Sequence, residues 1–129
     1  IDESYNANLL SMTSAINNME HHDKNCRKLA FLGDMLELGK KSKKIHRALS
    51  IIINRSKIDK VFVCGKYIKE TFNNLAENKK GKVFKSINEA YDHFRKFIHN
   101  NDLLMVKGSN ATGLNKFSKY IKKGQTSVI

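Results

Sequence analysis

Three short segments of this chain combine residue types in spacings that could do chemistry. The clearest is Val106-Lys107-Gly108-Ser109-Asn110, where an apolar run enters a tight turn and then a helix pattern. Backbone N–H groups at such a helix start, with Ser109 as cap and Lys107 beside them, form a natural pocket for a carboxylate or phosphate. A capped helix with a solvated lysine is the plainer reading of the same residues. The second segment is Leu32-Gly33-Asp34-Met35-Leu36-Glu37-Leu38-Gly39. Two acidic residues between two glycines could orient a ribose, a metal-bound water or a neighbouring domain, or could make an ordinary turn. The third is the polar run Glu3-Ser4-Tyr5-Asn6-Ala7-Asn8, read as a loop leading into a helix that begins near Ser11. Its Asn and Ser residues could cap that helix and tolerate turn dihedrals.

Other arrangements fail on spacing. Gly39-Lys40-Lys41-Ser42 looks superficially like a P-loop. A P-loop needs Gly, four residues, then Gly-Lys-Ser/Thr, whereas five residues separate Gly33 from Gly39 and Lys41 stands in the Ser/Thr place. His21, His22, His93 and His99 lack metal-ligand spacing, so no metal site is expected. His46 is kept as a candidate because its helix follows the acidic segment and could face it.

The elements that must position these segments alternate. Short apolar runs predict strands at Lys28–Leu32, Lys60–Cys64, Lys82–Phe84 and Leu103–Val106, and Gly33, Gly65 and Gly108 follow three of them. Continuous apolar runs, rather than alternation, mark strands buried on both faces of a parallel sheet. Between them, Ile45, Ala48, Leu49 and Ile52 follow helical spacing, as do Ile87, Ala90, Tyr91, Phe94 and Ile98 behind a Ser86/Glu89 capping box. Met12, Ala15, Ile16 and Met19 mark a first helix, and Leu114, Phe117 and Ile121 a last one. Ile1–Glu3 reads as the end of a strand cut from something longer. The expected fold class is α/β, a Rossmann-like open, mostly parallel sheet flanked by helices. In such sheets ligands bind beyond the carboxyl ends of the strands, where all three segments fall.

Composition bounds the partners. The 129 residues suit a single domain, able to fold without disulfide or metal. Cys26 and Cys64, each set in an apolar run, read as reduced, buried thiols of a cytosolic protein. No apolar run reaches the roughly 20 residues of a membrane span, and no secretory signal pattern is present. A net charge of +12 is the footprint of a nucleic-acid binder, which makes a basic nucleic-acid-binding module the alternative function. Only Arg27, Arg47, Arg55 and Arg95 are arginines, however, and lysine spread over helix faces is commonly a solvated surface. A stand-alone dinucleotide-binding domain is disfavoured because no strand is followed by Gly-x-Gly-x-x-Gly.

The full set of motifs is specific as a series. Ile1-Asp2-Glu3-Ser4-Tyr5-Asn6-Ala7-Asn8 with Ser11-Met12, then Leu32–Gly39, Ser42 and His46, Val63-Cys64-Gly65, and Val106-Lys107-Gly108-Ser109 follow one another in order. This series resembles the C-terminal domain of the Mur ligases along essentially the whole chain. Its first loop is similar to that of the branch joining D-alanyl-D-alanine to UDP-N-acetylmuramoyl-tripeptide in peptidoglycan synthesis.

That resemblance implies that residues 1–129 are the third domain of a bacterial cytoplasmic ligase. The N-terminal domain would bind the UDP-sugar and the central one would carry the P-loop for ATP. Both lie outside this chain, which alone is expected to be inactive. In the family, ATP phosphorylates the tripeptide carboxylate and the amine of D-alanyl-D-alanine attacks the acyl phosphate, with Mg²⁺ neutralising phosphate charge. Closure of the third domain would cover the nucleotide and exclude water. Carried over by similarity, Glu3, Tyr5, Asn6 and Asn8 meet the nucleotide, with Asn6 foremost, and Lys107, Gly108 and Ser109 lie near the dipeptide. Asp34 and His46 match the family pattern as possible catalytic residues or as fixers of the closed interface. Two departures stand out: Leu9 replaces the usual Pro, and Asn110 the usual Arg, which removes a bidentate carboxylate partner.

Overall fold

A computed structural model describes residues 4–21, 25–108 and 127–128. Helix α1 spans Ser4–Glu20 and strand β1 Lys28–Gly33. A 3-10 turn over Gly39–Lys41 leads into α2, Ser42–Asn54, then β2, Lys60–Cys64, and α3, Ile68–Asn73. Strand β3 covers Lys80–Phe84, α4 Ile87–Phe97, β4 Leu103–Lys107 and β5 Ser127–Val128. The strands form one sheet in the order β3-β2-β1-β4-β5, and every neighbouring pair is parallel. The four strands expected from the apolar runs are present, β3 beginning at Lys80 rather than Lys82. The two-residue β5 was not expected, being too short to carry a pattern. Ile1–Glu3 and the helix expected around Leu114–Ile121 lie outside the described residues.

Alternation along the strands distributes the side chains to two cores. Ala30 and Leu32 of β1, Val61 and Val63 of β2, and Leu103 and Met105 of β4 face α1, α2 and α3. Those helices answer with Met12, Ile16 and Met19, with Ile45, Leu49 and Ile53, and with Ile68. Leu29, Phe31, Phe62, Phe84 and Leu104 turn to the opposite face, against Ala90 and Phe94 of α4 and Ile98 just after it. That second core is aromatic: the Phe62 and Phe94 ring centroids lie 4.8 Å apart at 70°, an edge-to-face contact. Both faces of β1 are therefore sealed, which explains its unbroken apolar sequence.

The capping box forms. Glu89 N–H donates to Ser86 Oγ at 3.1 Å, while the Glu89 carboxylate accepts from Lys85 N–H, one residue earlier than the usual partner. At the amino edge of the sheet, Arg27 grips Asp102 with two bonds of 3.0 and 2.6 Å and donates to the Phe97 carbonyl at 2.8 Å. The cysteines differ from their expected setting. Neither is in a disulfide, both are only half-buried, and Cys26 precedes β1 instead of lying in a strand. No helix among the described residues is long and apolar enough to cross a membrane.

Candidate functional site

The direction of the chain reverses across the sheet between β1 and β4: β2 and β3 lie on one side, β4 and β5 on the other. Strand carboxyl ends diverge there and leave the crevice in which open α/β sheets hold ligands. Lys107 closes β4 in register with Leu32, so Lys107 and Gly108 stand directly beside the segment that leaves β1 at Gly33. Both are half-buried. Ser109 lies outside the described residues.

The first segment is not the loop expected of it. Helix α1 begins at Ser4 rather than near Ser11, so Tyr5, Asn6 and Asn8 occupy its opening turns. Leu9 supplies the physical reason. It keeps the backbone N–H that a proline would lack and leaves Asn8 free to be helical, and its side chain extends the buried Met12, Ile16 and Met19 stripe by one turn. The Asn8 amide donates to the Leu36 carbonyl at 3.4 Å, which brings the start of α1 to the same edge as the segment after β1. Glu3 lies outside the described residues.

The two acids of Asp34–Leu38 part company. Asp34 is buried, and its carboxylate accepts from three successive backbone N–H groups at the start of α3: Lys66 at 3.1 Å, Tyr67 at 2.9 Å and Ile68 at 2.8 Å. It satisfies the free donors of that helix end and places negative charge at the positive end of its dipole. Glu37 is exposed and left-handed at φ 63°, a conformation that costs a non-glycine residue on the order of 1 kcal/mol. Met35 and Leu38, both buried, anchor the segment between them.

His46, in the second turn of α2, faces the segment as expected. Its Nε2 accepts from Met35 N–H at 3.1 Å, and its Nδ1 donates to the Ser42 carbonyl at 2.8 Å. That pair of contacts fixes the neutral Nδ1–H tautomer. Burial holds the imidazole below its ordinary pKa, outweighing the Ser42 carbonyl and the more distant Asp34 and Glu70 charges that favour protonation. The Thr71 hydroxyl of α3 donates to the His46 carbonyl, so β1, α2 and α3 are tied through two side chains. Asp34 and His46 thus spend their polar atoms on backbone partners, as positioning groups do.

The described residues do not fit a magnesium site. No group of three His, Cys, Asp or Glu side chains among them could hold a metal ion, and the Asp34 carboxylate is committed to N–H donors. No motif or spacing points directly to the Asn8–Leu36 contact or to the partnership between Asp34 and α3. Gly65 was the one signal for the latter: a Cβ there would meet the Asp34 carboxylate.

With this geometry in hand, comparison with known proteins is specific. Residues 1–110 match the family model described as "Mur ligase, glutamate ligase domain". The UDP-N-acetylmuramoyl-tripeptide–D-alanyl-D-alanine ligase of Rickettsia prowazekii is 30% identical over 120 residues, covering 93% of this chain and 26% of that protein. The enzyme of the same name from Buchnera aphidicola of Acyrthosiphon pisum is 33% identical over 121 residues, covering 90% of this chain and 25% of its own length. Among solved structures, the MurF ligase of Thermotoga maritima in complex with ADP superposes with a TM-score of 0.74 at 20% identity, over 94% of this chain and 27% of that one. This last likeness establishes the shared fold. The chain spans about a quarter of the length of these relatives.

Proposed function

This chain belongs to the Mur ligase family through its glutamate ligase domain, and from that premise we propose that residues 1–129 form the C-terminal domain of a ligase. The reaction would join D-alanyl-D-alanine to UDP-N-acetylmuramoyl-tripeptide with ATP, in the bacterial cytoplasm. The observation that carries this reading is the likeness, across 93% and 90% of this chain, to two ligases of that name at 30% and 33% identity. The UDP-sugar and P-loop domains would be supplied by the rest of a longer protein, and Mg²⁺ would be held there too. The metal would neutralise charge on the transferring phosphoryl group.

The work left to this domain is positioning. In this reading Asn6, with Glu3, Tyr5 and Asn8, meets the nucleotide when the domain closes. Asn8 would do so from a helix end already fastened to Leu36. Lys107, Gly108 and Ser109 lie near the incoming dipeptide, with Lys107 offering a cation to its carboxylate. A near-attack placement of the dipeptide amine can lower a barrier by several kcal/mol without any covalent role for the protein. Asp34 and His46 are positioning residues that keep the edge of the sheet in one shape. Closure would also shield an acyl phosphate from water.

The test is phosphate release by the full-length parent enzyme. Release should require D-alanyl-D-alanine and the UDP-tripeptide together. Release equally fast with another amino acid in place of the dipeptide would overturn the assignment.

A further inference from the structure

Four lysines line a cleft of about 390 Å³ between the opening turns of α2 and α3. Lys40 and Lys43 come from the 3-10 turn and the first turn of α2, and Lys66 and Lys69 from the residues before α3 and its first turn. Two backbone features place these residues. Gly39, at φ +57°, turns the chain into the 3-10 turn that carries Lys40, and Asp34 pins the start of α3 behind Lys66.

Positive charge is in excess in this cleft. Among the described residues Glu70 is the one carboxylate lining it, and although Lys43 lies within its field, the Arg47 guanidinium holds that group through bonds of 2.9 and 2.6 Å. The four lysine ammonium groups take part in none of the ion pairs among the described residues. Lys66 Nζ instead lies 5.4 Å from the centre of the Tyr67 ring, whose phenol also lines the cleft. Four like charges around a concavity repel one another and lower the cost of binding an anion there. The volume is that of a small-molecule site, and ammonium groups serve phosphate as point charges. The donors are side chains, since Asp34 already uses the N–H groups at the start of α3.

We propose that this cleft binds a linear di- or triphosphate, free or carried by a nucleotide. The inference rests on the cleft alone and does not depend on the ligase reading.

Calorimetric titration of the chain with sodium tripolyphosphate, at an ionic strength of about 0.1 M where the Debye length is about 10 Å, tests it. Two variants of equal charge are compared: Lys40→Gln/Lys43→Gln/Lys66→Gln/Lys69→Gln, and a control with Arg55, Lys57, Lys85 and Lys96, all exposed outside the cleft, changed to Gln. The cleft variant should bind at least about tenfold more weakly, and the control within about twofold of the native chain. Amide shifts of the native chain on adding tripolyphosphate should cluster at 40–43 and 66–69, which decides the matter if the cleft variant fails to fold. ATP binding as tightly as tripolyphosphate assigns the site to the phosphate chain itself, and tighter ATP binding to a nucleotide. Absence of millimolar binding, equal weakening of both variants, or shifts spread over every basic face, as with a DNA duplex, would overturn the proposal.

Discussion

Asp34 occupies the space that a side chain on Gly65 would need: a Cβ built at Gly65 lies 2.5 Å from Asp34 Oδ1, and the backbone there has φ +147°. The absence of a side chain at the end of β2 is what lets a carboxylate from β1 reach under the first turn of α3. Two strands and a helix depend on this one fit.

Gly65→Ala should therefore cost about 2–3 kcal/mol, from strained backbone and displaced carboxylate together. Asp34→Asn keeps the volume but removes the charge and one acceptor, and should cost about 1–3 kcal/mol. Urea midpoints would measure both. Because the two residues touch, their effects should be less than additive, and strict additivity would show that Gly65 and Asp34 act independently.

Acid should weaken the fold through His46. Burial depresses its folded-state pKa below the ordinary value of about 6.5, so the unfolded chain binds a proton first as pH falls. The stabilisation from the neutral ring is complete above about pH 6.5 and is lost as pH drops from there towards the folded pKa. His93 is depressed in the same direction, mainly by burial, so a His93→Phe background isolates His46. An imidazole NMR titration of His46 with a midpoint at or above the ordinary value would contradict this.

Asp102→Ala should cost about 2 kcal/mol, below the range for a wholly buried pair because the Arg27 side chain keeps 30% of its exposure. The substitution also strands His99 N–H, which Asp102 accepts at 2.7 Å. Since this pair sits at the amino edge, ligand binding at the carboxyl edge should be unchanged per folded molecule. Thermal melting and a binding titration on one sample would separate the two effects.

For the proposed ligase, Asn6→Ala in the full-length parent should raise the KM for ATP, and Lys107→Ala that for the dipeptide. Steady-state kinetics with each substrate varied in turn would show it. An unchanged ATP KM removes Asn6 from the nucleotide site.

The pattern of apolar residues carried most of the fold. β1, β2 and β4 are buried on both faces, and only continuous apolar runs satisfy that, so their places and the α/β class were legible in one dimension. Helix spacing placed α2 and α4 in the same way, and the motif series pointed to the family. The start of α1 was misread because Ser and Asn serve a cap, a turn and an early helix turn almost equally. Leu9 tips that balance only by packing against the core shared by α1, the sheet and α2, a tertiary contact. The two acids after β1 looked alike as letters, yet one is buried under α3 and the other exposed. Their difference depends on residues more than thirty positions away, through Gly65 and the N–H groups that follow it. The lysine cleft has the same origin: Lys40 and Lys69 are distant in the chain, and only parallel β1 and β2 bring the helices that follow them side by side. Sequence alone determined which segments would be buried, because burial is written locally in side-chain polarity. Tertiary structure decided which polar groups meet, because those partners are chosen by strand order across the sheet.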